Sequence, residues 1–147
     1  SDGISGLNNT LEKDAQFGLL IALEILAVTG KNLGEYLDAL YEEYGRFYPT
    51  RSGFEVDKSL VGAPLMSKVK AIADNAKPGA KVMVGTNEKT VKQLLTLDGV
   101  KIIFDDDSWM LVRPSGTEPK VRIYTECREP DEKDPMFEAA KALFVKN

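Results

Sequence analysis

The chain has 147 residues, 43% of them hydrophobic, with 19 basic against 23 acidic side chains and a formal net charge of -4. Its length and apolar content suit one domain with a core, or one domain plus part of a neighbour, and the charge balance gives no long-range field that would gather nucleic acid or an anionic membrane. Histidine is absent and Cys127 is the single cysteine, which excludes a histidine base, an internal disulfide and a thiol/imidazole zinc site, and suits a reducing, cytoplasmic compartment.

The opening SDGISGLNNTLEKDA is polar, lacks the cationic start of a signal peptide and begins without methionine, so the chain is expected to be a piece of a longer protein. Residues 11–29 predict a helix whose middle, FGLLIALEILAV at 17–28 between Phe17 and Val28, is apolar on nearly every side; Gly30 stands where a left-handed cap would end it. Its 12 residues fall short of the about 20 that cross a bilayer. The expectation is that other protein covers this helix, or that it pairs with a second copy and the chain self-associates. Leu33, Tyr36, Leu37, Leu40, Tyr41 and Tyr44 form the stripe of a second helix, opened by an Asn32/Glu35 capping box and closed by Gly45, predicting a helical hairpin.

RFYPTRSGFEVD at 46–57 predicts an extended segment crossing between domains, and 45–57 is expected to act as a pivot. Val61, Leu65, Val69, Ile72, Ala73 and Ala76 predict an amphipathic helix with Pro64 in its first turn. A short strand is expected at 81–85 and one or two helical turns at 90–95, before an Asp98-Gly99 turn. Val100, Ile102 and Phe104 alternate with more polar neighbours, DDDS turns and WMLVR returns, which predicts a hairpin over 100–113; KVRIYTEC predicts a third strand. Asp134-Pro135 opens a last helix carrying Met136, Ala140, Leu143 and Phe144 inward. The sum is an α+β chain: a helical piece over 1–45, then a domain over 46–147 built as an antiparallel sheet with helices packed on one face.

RPSGTEPKVR at 113–122 joins the second and third strands. A loop that holds phosphate needs converging backbone N–H groups, short hydroxyls and cationic side chains at its rim. Gly116 can take positive φ and so form a concave nest, Ser115 and Thr117 add hydroxyls, and Arg113 and Arg122 can flank the loop with forked guanidiniums. Alternation puts Lys120, Arg122 and Tyr124 on one face of the third strand and Val121, Ile123 and Thr125 on the other. Glu118, inside the loop, opposes an anion unless it turns away. Composition leaves two readings open, a phosphate nest and a solvated turn of ordinary turn formers. Ser115 has no histidine to activate it and is not in a nucleophile elbow; the aspartates at 105–107 lack calcium-loop spacing and read as a solvated turn; Trp109 reads as a packing residue.

RPSGTEP followed by a VRIY strand resembles the phosphate-binding loop in the last domain of the α-D-phosphohexomutases, the phosphoglucomutase/phosphomannomutase superfamily. DGVKIIF and WMLVRPSGTEP resemble the family's hairpin into that loop, and EKDAQFGLLIALEILAVTGKNLGEYLDALYEEYG resembles the helical end of the preceding, third domain. The resemblance implies a TATA-binding-protein-like α+β C-terminal domain at 46–147. It implies an isomerase that moves phosphoryl groups between hexose 1-phosphates and 6-phosphates, with Mg2+ and a hexose 1,6-bisphosphate. It also implies that the reactive serine loop and metal loop lie in earlier domains, so that the piece alone is inactive and holds no metal. Arg113, Ser115, Gly116, Thr117 and Arg122 would then hold the phosphate of the hexose phosphate substrate that is not transferred, and Ser1 would match a sugar-contacting serine. A phosphoglucosamine mutase piece is an alternative, against which stands Asp2-Gly3 where that branch reads Gly-His; a noncatalytic anion- or protein-binding module is another.

Overall fold

Asp14 and Gly30 set the limits of the first helix in the computed structural model, which describes residues 4–6 and 12–146. The Asp14 carboxylate accepts the N–H groups of Gln16 and Phe17 at 2.9 and 3.0 Å, opening α1 (Ala15–Thr29), and Gly30, at φ 66°, donates to the Leu26 carbonyl. The predicted start at 11 lies outside the described residues. No residue of α1 is buried, and Leu20 and Val28 are 63% and 78% exposed. The predicted capping box opens α2 (Leu33–Tyr44), with Asn32 and Glu35 each accepting the other's backbone N–H at 2.9 Å. The expected helical hairpin is corrected: α1 and α2 meet at a bend of 79°. One left-handed residue and an extended Asn32 redirect the chain but do not reverse it. Among the described residues no single helix is long and apolar enough to cross a membrane.

The chain divides into two compact units, Ser1–Arg46 and Phe47–Asn147. The second is one six-stranded antiparallel sheet of β1 (Tyr48–Glu55), β2 (Lys81–Val84), β3 (Asn87–Leu95), β4 (Val100–Phe104), β5 (Trp109–Pro114) and β6 (Lys120–Cys127), in the order β1-β6-β5-β4-β3-β2. Helices α3 (Ala63–Asn75) and α4 (Lys133–Lys146) pack on one face of it. β6 alternates as its sequence predicts: Val121, Ile123, Thr125 and Cys127 are buried, while Lys120, Arg122, Tyr124 and Glu126 are half-buried on the other face. Leu65, Ile72, Ile102, Phe104, Met110, Ile123 and Met136 fill the space between sheet and helices. Thr125 is the one buried polar side chain among the described residues whose oxygen has no hydrogen-bond partner.

Three expectations are corrected here. Residues 48–55 are not a free crossing segment: they pair with β6 along their whole length, an edge position that tolerates Pro49. The helical turns expected at 90–95 are strand, because β3 is paired to β2 over residues 87–90 and to β4 over 91–95. Pairing to β4 over 91–95 outweighs the weak local preference of TVKQLL. Val61 is exposed and precedes α3, and α4 starts at Lys133 behind a short 3-10 turn, Pro130–Glu132, with Leu143 only partly buried.

Candidate functional site

Antiparallel register brings the two ends of RPSGTEPKVR together. Arg113 in β5 lies directly across from Arg122 in β6, and Pro114 across from Val121. The loop between closes through Ser115 N–H to the Lys120 carbonyl at 2.8 Å, Lys120 N–H to the Glu118 carbonyl at 2.7 Å and Glu118 N–H to the Ser115 hydroxyl at 3.3 Å. Ser115 is buried; Gly116, Thr117 and Glu118 are exposed.

The nest expected from a left-handed Gly116 is corrected. Gly116 is not among the glycines with positive φ, and a Cβ placed on it would meet no atom within 4 Å. The Ser115 hydroxyl braces the turn instead, in the manner of a Ser/Thr turn, which needs no left-handed residue. Open space over Gly116 therefore permits a ligand to reach the main chain closely.

Two like charges directly opposite on neighbouring strands repel. Each is answered by a carboxylate: Arg113 Nε lies 3.0 Å from Asp98 Oδ2, and Arg122 Nη2 donates to Glu118 Oε2 at 3.3 Å. Glu118 thus turns toward Arg122. Arg113, Ser115 and Gly116 share a groove of about 340 Å³ with Asp98, Met66 and the start of α3 at Gly62 and Ala63. α3 has no side-chain cap there, so the unpaired N–H groups of its first turn and the positive end of its dipole add to the field. Arg122 lines a different groove of about 440 Å³ with Arg51, Ser52, Gly53 and Lys120, and Thr117 lines neither. Ser1 lies outside the described residues.

A second charged cluster escaped sequence reasoning. Lys89, on the core face of β3 and 9% exposed, pairs with Glu132 at 2.9 Å and with Asp106; Asn87 Nδ2 donates to Glu132 Oε1 at 3.3 Å, and the Ser108 N–H and hydroxyl both donate to Asp106. Asp106 is therefore not a merely solvated turn residue. Burial by itself lowers the Lys89 pKa, but the hydrogen bonds and charges of Asp106 and Glu132 outweigh it and hold the ammonium above its ordinary range. The missed signal is periodic: two residues before buried Val91, Lys89 belongs on the core face once 87–95 is a strand. Trp109 is half-buried, its indole donating to Glu126 at 3.0 Å with Lys101 Nζ 3.8 Å from the ring centre. Among the described residues no three His, Cys, Asp or Glu side chains are placed to hold a metal ion.

The family model for the phosphoglucomutase/phosphomannomutase C-terminal domain matches residues 60–142. A probable phosphoglucosamine mutase of Methanosphaera stadtmanae is 38% identical over 117 residues, 74% of this chain and 21% of its own length. A phosphoglucomutase/phosphomannomutase of Thermococcus kodakarensis is 35% identical over 118 residues, 80% of this chain and 21% of its own. The chain thus spans about a fifth of the length of these curated relatives. The open form of the phosphoglucomutase pp63/parafusin from Paramecium shares the fold, with a TM-score of 0.61 at 22% identity over 95% of this chain and 28% of that one. With a family match over more than half its residues, carried by the sheet domain that holds the RPSGTEP loop, the chain belongs to the phosphoglucomutase/phosphomannomutase superfamily.

Proposed function

We propose that this chain supplies the phosphate clamp of a phosphohexomutase. Arg113, Ser115, Gly116, Thr117 and Arg122 hold the phosphate that stays in place while the other end of the hexose phosphate exchanges its phosphoryl group elsewhere in the longer protein. The observation that carries this reading is the pair of arginines directly opposite on neighbouring strands at the base of a loop whose backbone stands open at Gly116. A phosphate dianion relieves the repulsion between Arg113 and Arg122 and takes up donors that forked guanidiniums present well.

Holding the remote phosphate converts binding energy into alignment of the reacting end, which is where such energy accelerates a reaction. The relatives are named for different sugars, glucosamine in one and glucose or mannose in the other. A clamp that reads only phosphate is compatible with all of them. The role proposed for this chain is confined to binding: it is expected to hold sugar phosphate weakly and to catalyse nothing alone, with magnesium and the hexose 1,6-bisphosphate belonging to earlier domains.

Titration of the chain with glucose 6-phosphate, followed by amide chemical shifts, tests this. Arg113→Ala should raise Kd by about tenfold, the worth of one hydrogen-bonded charged group. Equal Kd values would remove Arg113 from the site. The exposed apolar residues of α1, Leu19, Leu20, Leu23 and Val28, carry a second expectation, self-association of this chain. Sedimentation velocity should show a species heavier than 16.2 kDa that Leu20→Glu with Leu23→Glu dissolves; a monomer at all concentrations contradicts it.

A further inference from the structure

The turn before β4 rests on the backbone of the loop arginine. Register pairs Val100 with Val112, which carries Asp98 and Gly99 alongside Arg113 and Pro114. Gly99 is buried at φ 100°, and a Cβ there would stand 2.4 Å from the Val112 carbonyl oxygen and 3.1 Å from the Arg113 Cα. No side chain fits that space, so the glycine lets the turn close directly onto Arg113. Asp98 is thereby held against the guanidinium, Oδ2 to Nε at 3.0 Å, on the wall of the groove that Ser115 and Gly116 also line.

We infer that Asp98 is a positioning residue for the clamp, an inference that rests on the phosphate-binding reading above. Arg113 is 43% exposed, and a long cationic side chain in that position otherwise samples many rotamers and is pushed away by Arg122 across the ladder. A carboxylate at Nε cancels part of that repulsion and leaves both terminal nitrogens of the fork for an anion. Asp98 also repels the phosphate. A phosphate on that guanidinium lies within the about 8 Å over which physiological salt screens charge, so the two effects oppose each other directly; the inference is that the ion pair, which acts at contact, outweighs the repulsion.

A double-mutant cycle on the 147-residue chain decides between the two effects. Glucose 6-phosphate is titrated into wild type, Asp98→Ser, Arg113→Ala and the double variant, with thermal unfolding measured on each. Serine keeps the turn preference beside Gly99; should it lower Tm, Asp98→Asn replaces it. Asp98→Ser is expected to raise Kd by about threefold, the range of an exposed ion pair, with Tm unchanged. Asp98→Glu should restore most of the affinity, and Asp98→Ser should add nothing once Arg113 is alanine. Tighter binding by Asp98→Ser, or an equal loss in both backgrounds, overturns the inference. An unchanged Kd for Asp98→Ser beside a weakened Arg113→Ala also overturns it while leaving the clamp intact. No effect of Arg113→Ala removes the clamp and this inference together.

Discussion

Replacing Lys89 by methionine strands a buried carboxylate, and the cost follows from who is left exposed. The Lys89 and Glu132 side chains are 9% and 10% exposed, whereas Asp106 is 41% exposed and keeps its water. Breaking a buried pair by removing one partner costs about 3–5 kcal/mol, while the exposed half of the triad is worth about 0–1 kcal/mol. Asn87 still donates to Glu132 at 3.3 Å, so the expected loss sits at the low end, about 3 kcal/mol. For a unit of this size that lowers Tm by roughly 12–24 °C. Urea unfolding followed by the fluorescence of Trp109, the sole tryptophan, measures it at neutral pH. Adding Glu132→Leu should recover most of the loss, because an apolar pair of similar volume replaces a buried ion pair at little cost. A loss under about 1 kcal/mol, or a double variant no more stable than Lys89→Met, refutes the reasoning.

The same triad sets a pH window. Lys89 is raised above its ordinary 10.5, burial being outweighed by Asp106 and Glu132, so its contribution is whole below 10.5 and fades as pH climbs through the folded value. Asp106 is held below its ordinary 3.8, its partial desolvation being outweighed by Lys89 and Ser108; its contribution is present above 3.8 and fades as pH falls through the folded value. The gap between wild type and Lys89→Met should therefore be widest between these limits, and a gap that stays constant into acid and alkali counts against the pairing. Thr125→Val removes a buried hydroxyl that has no partner and should stabilise by about 1 kcal/mol in the same urea assay; a destabilised variant means the hydroxyl is satisfied. Gly116→Ala has neither strain nor a clash to meet, so Tm should hold or rise by the equivalent of about 0.5 kcal/mol while glucose 6-phosphate binds more weakly. Unchanged affinity would show that phosphate does not approach the loop backbone there.

Features that depend on neighbours in sequence were legible without the fold. The Asn32/Glu35 box, the Gly30 cap, the 100–113 hairpin and the alternation of β6 all rest on spacings of two to four residues, which fix local geometry directly. The RPSGTEP loop was legible for the same reason, since its hydroxyls and its flanking arginines lie within ten residues of one another. Its internal conformation was not: the Ser115 brace and a nest with a left-handed Gly116 are two solutions of one turn, and composition does not choose between them.

By itself the sequence determined the α+β class, the position of the RPSGTEP loop between two strands and the family to which the loop belongs. Tertiary structure decided the rest through pairings between distant residues. Strand partners on both sides made β3 a strand, and the edge of the sheet captured β1. Register set Arg113 against Arg122 and brought Asp98 to Arg113, and the packing of Glu132, in the short 3-10 turn before α4, gave Lys89 its charge partner across 43 residues. Such contacts form only when loop-closure entropy is overcome by the whole sheet at once, so no local pattern announces them.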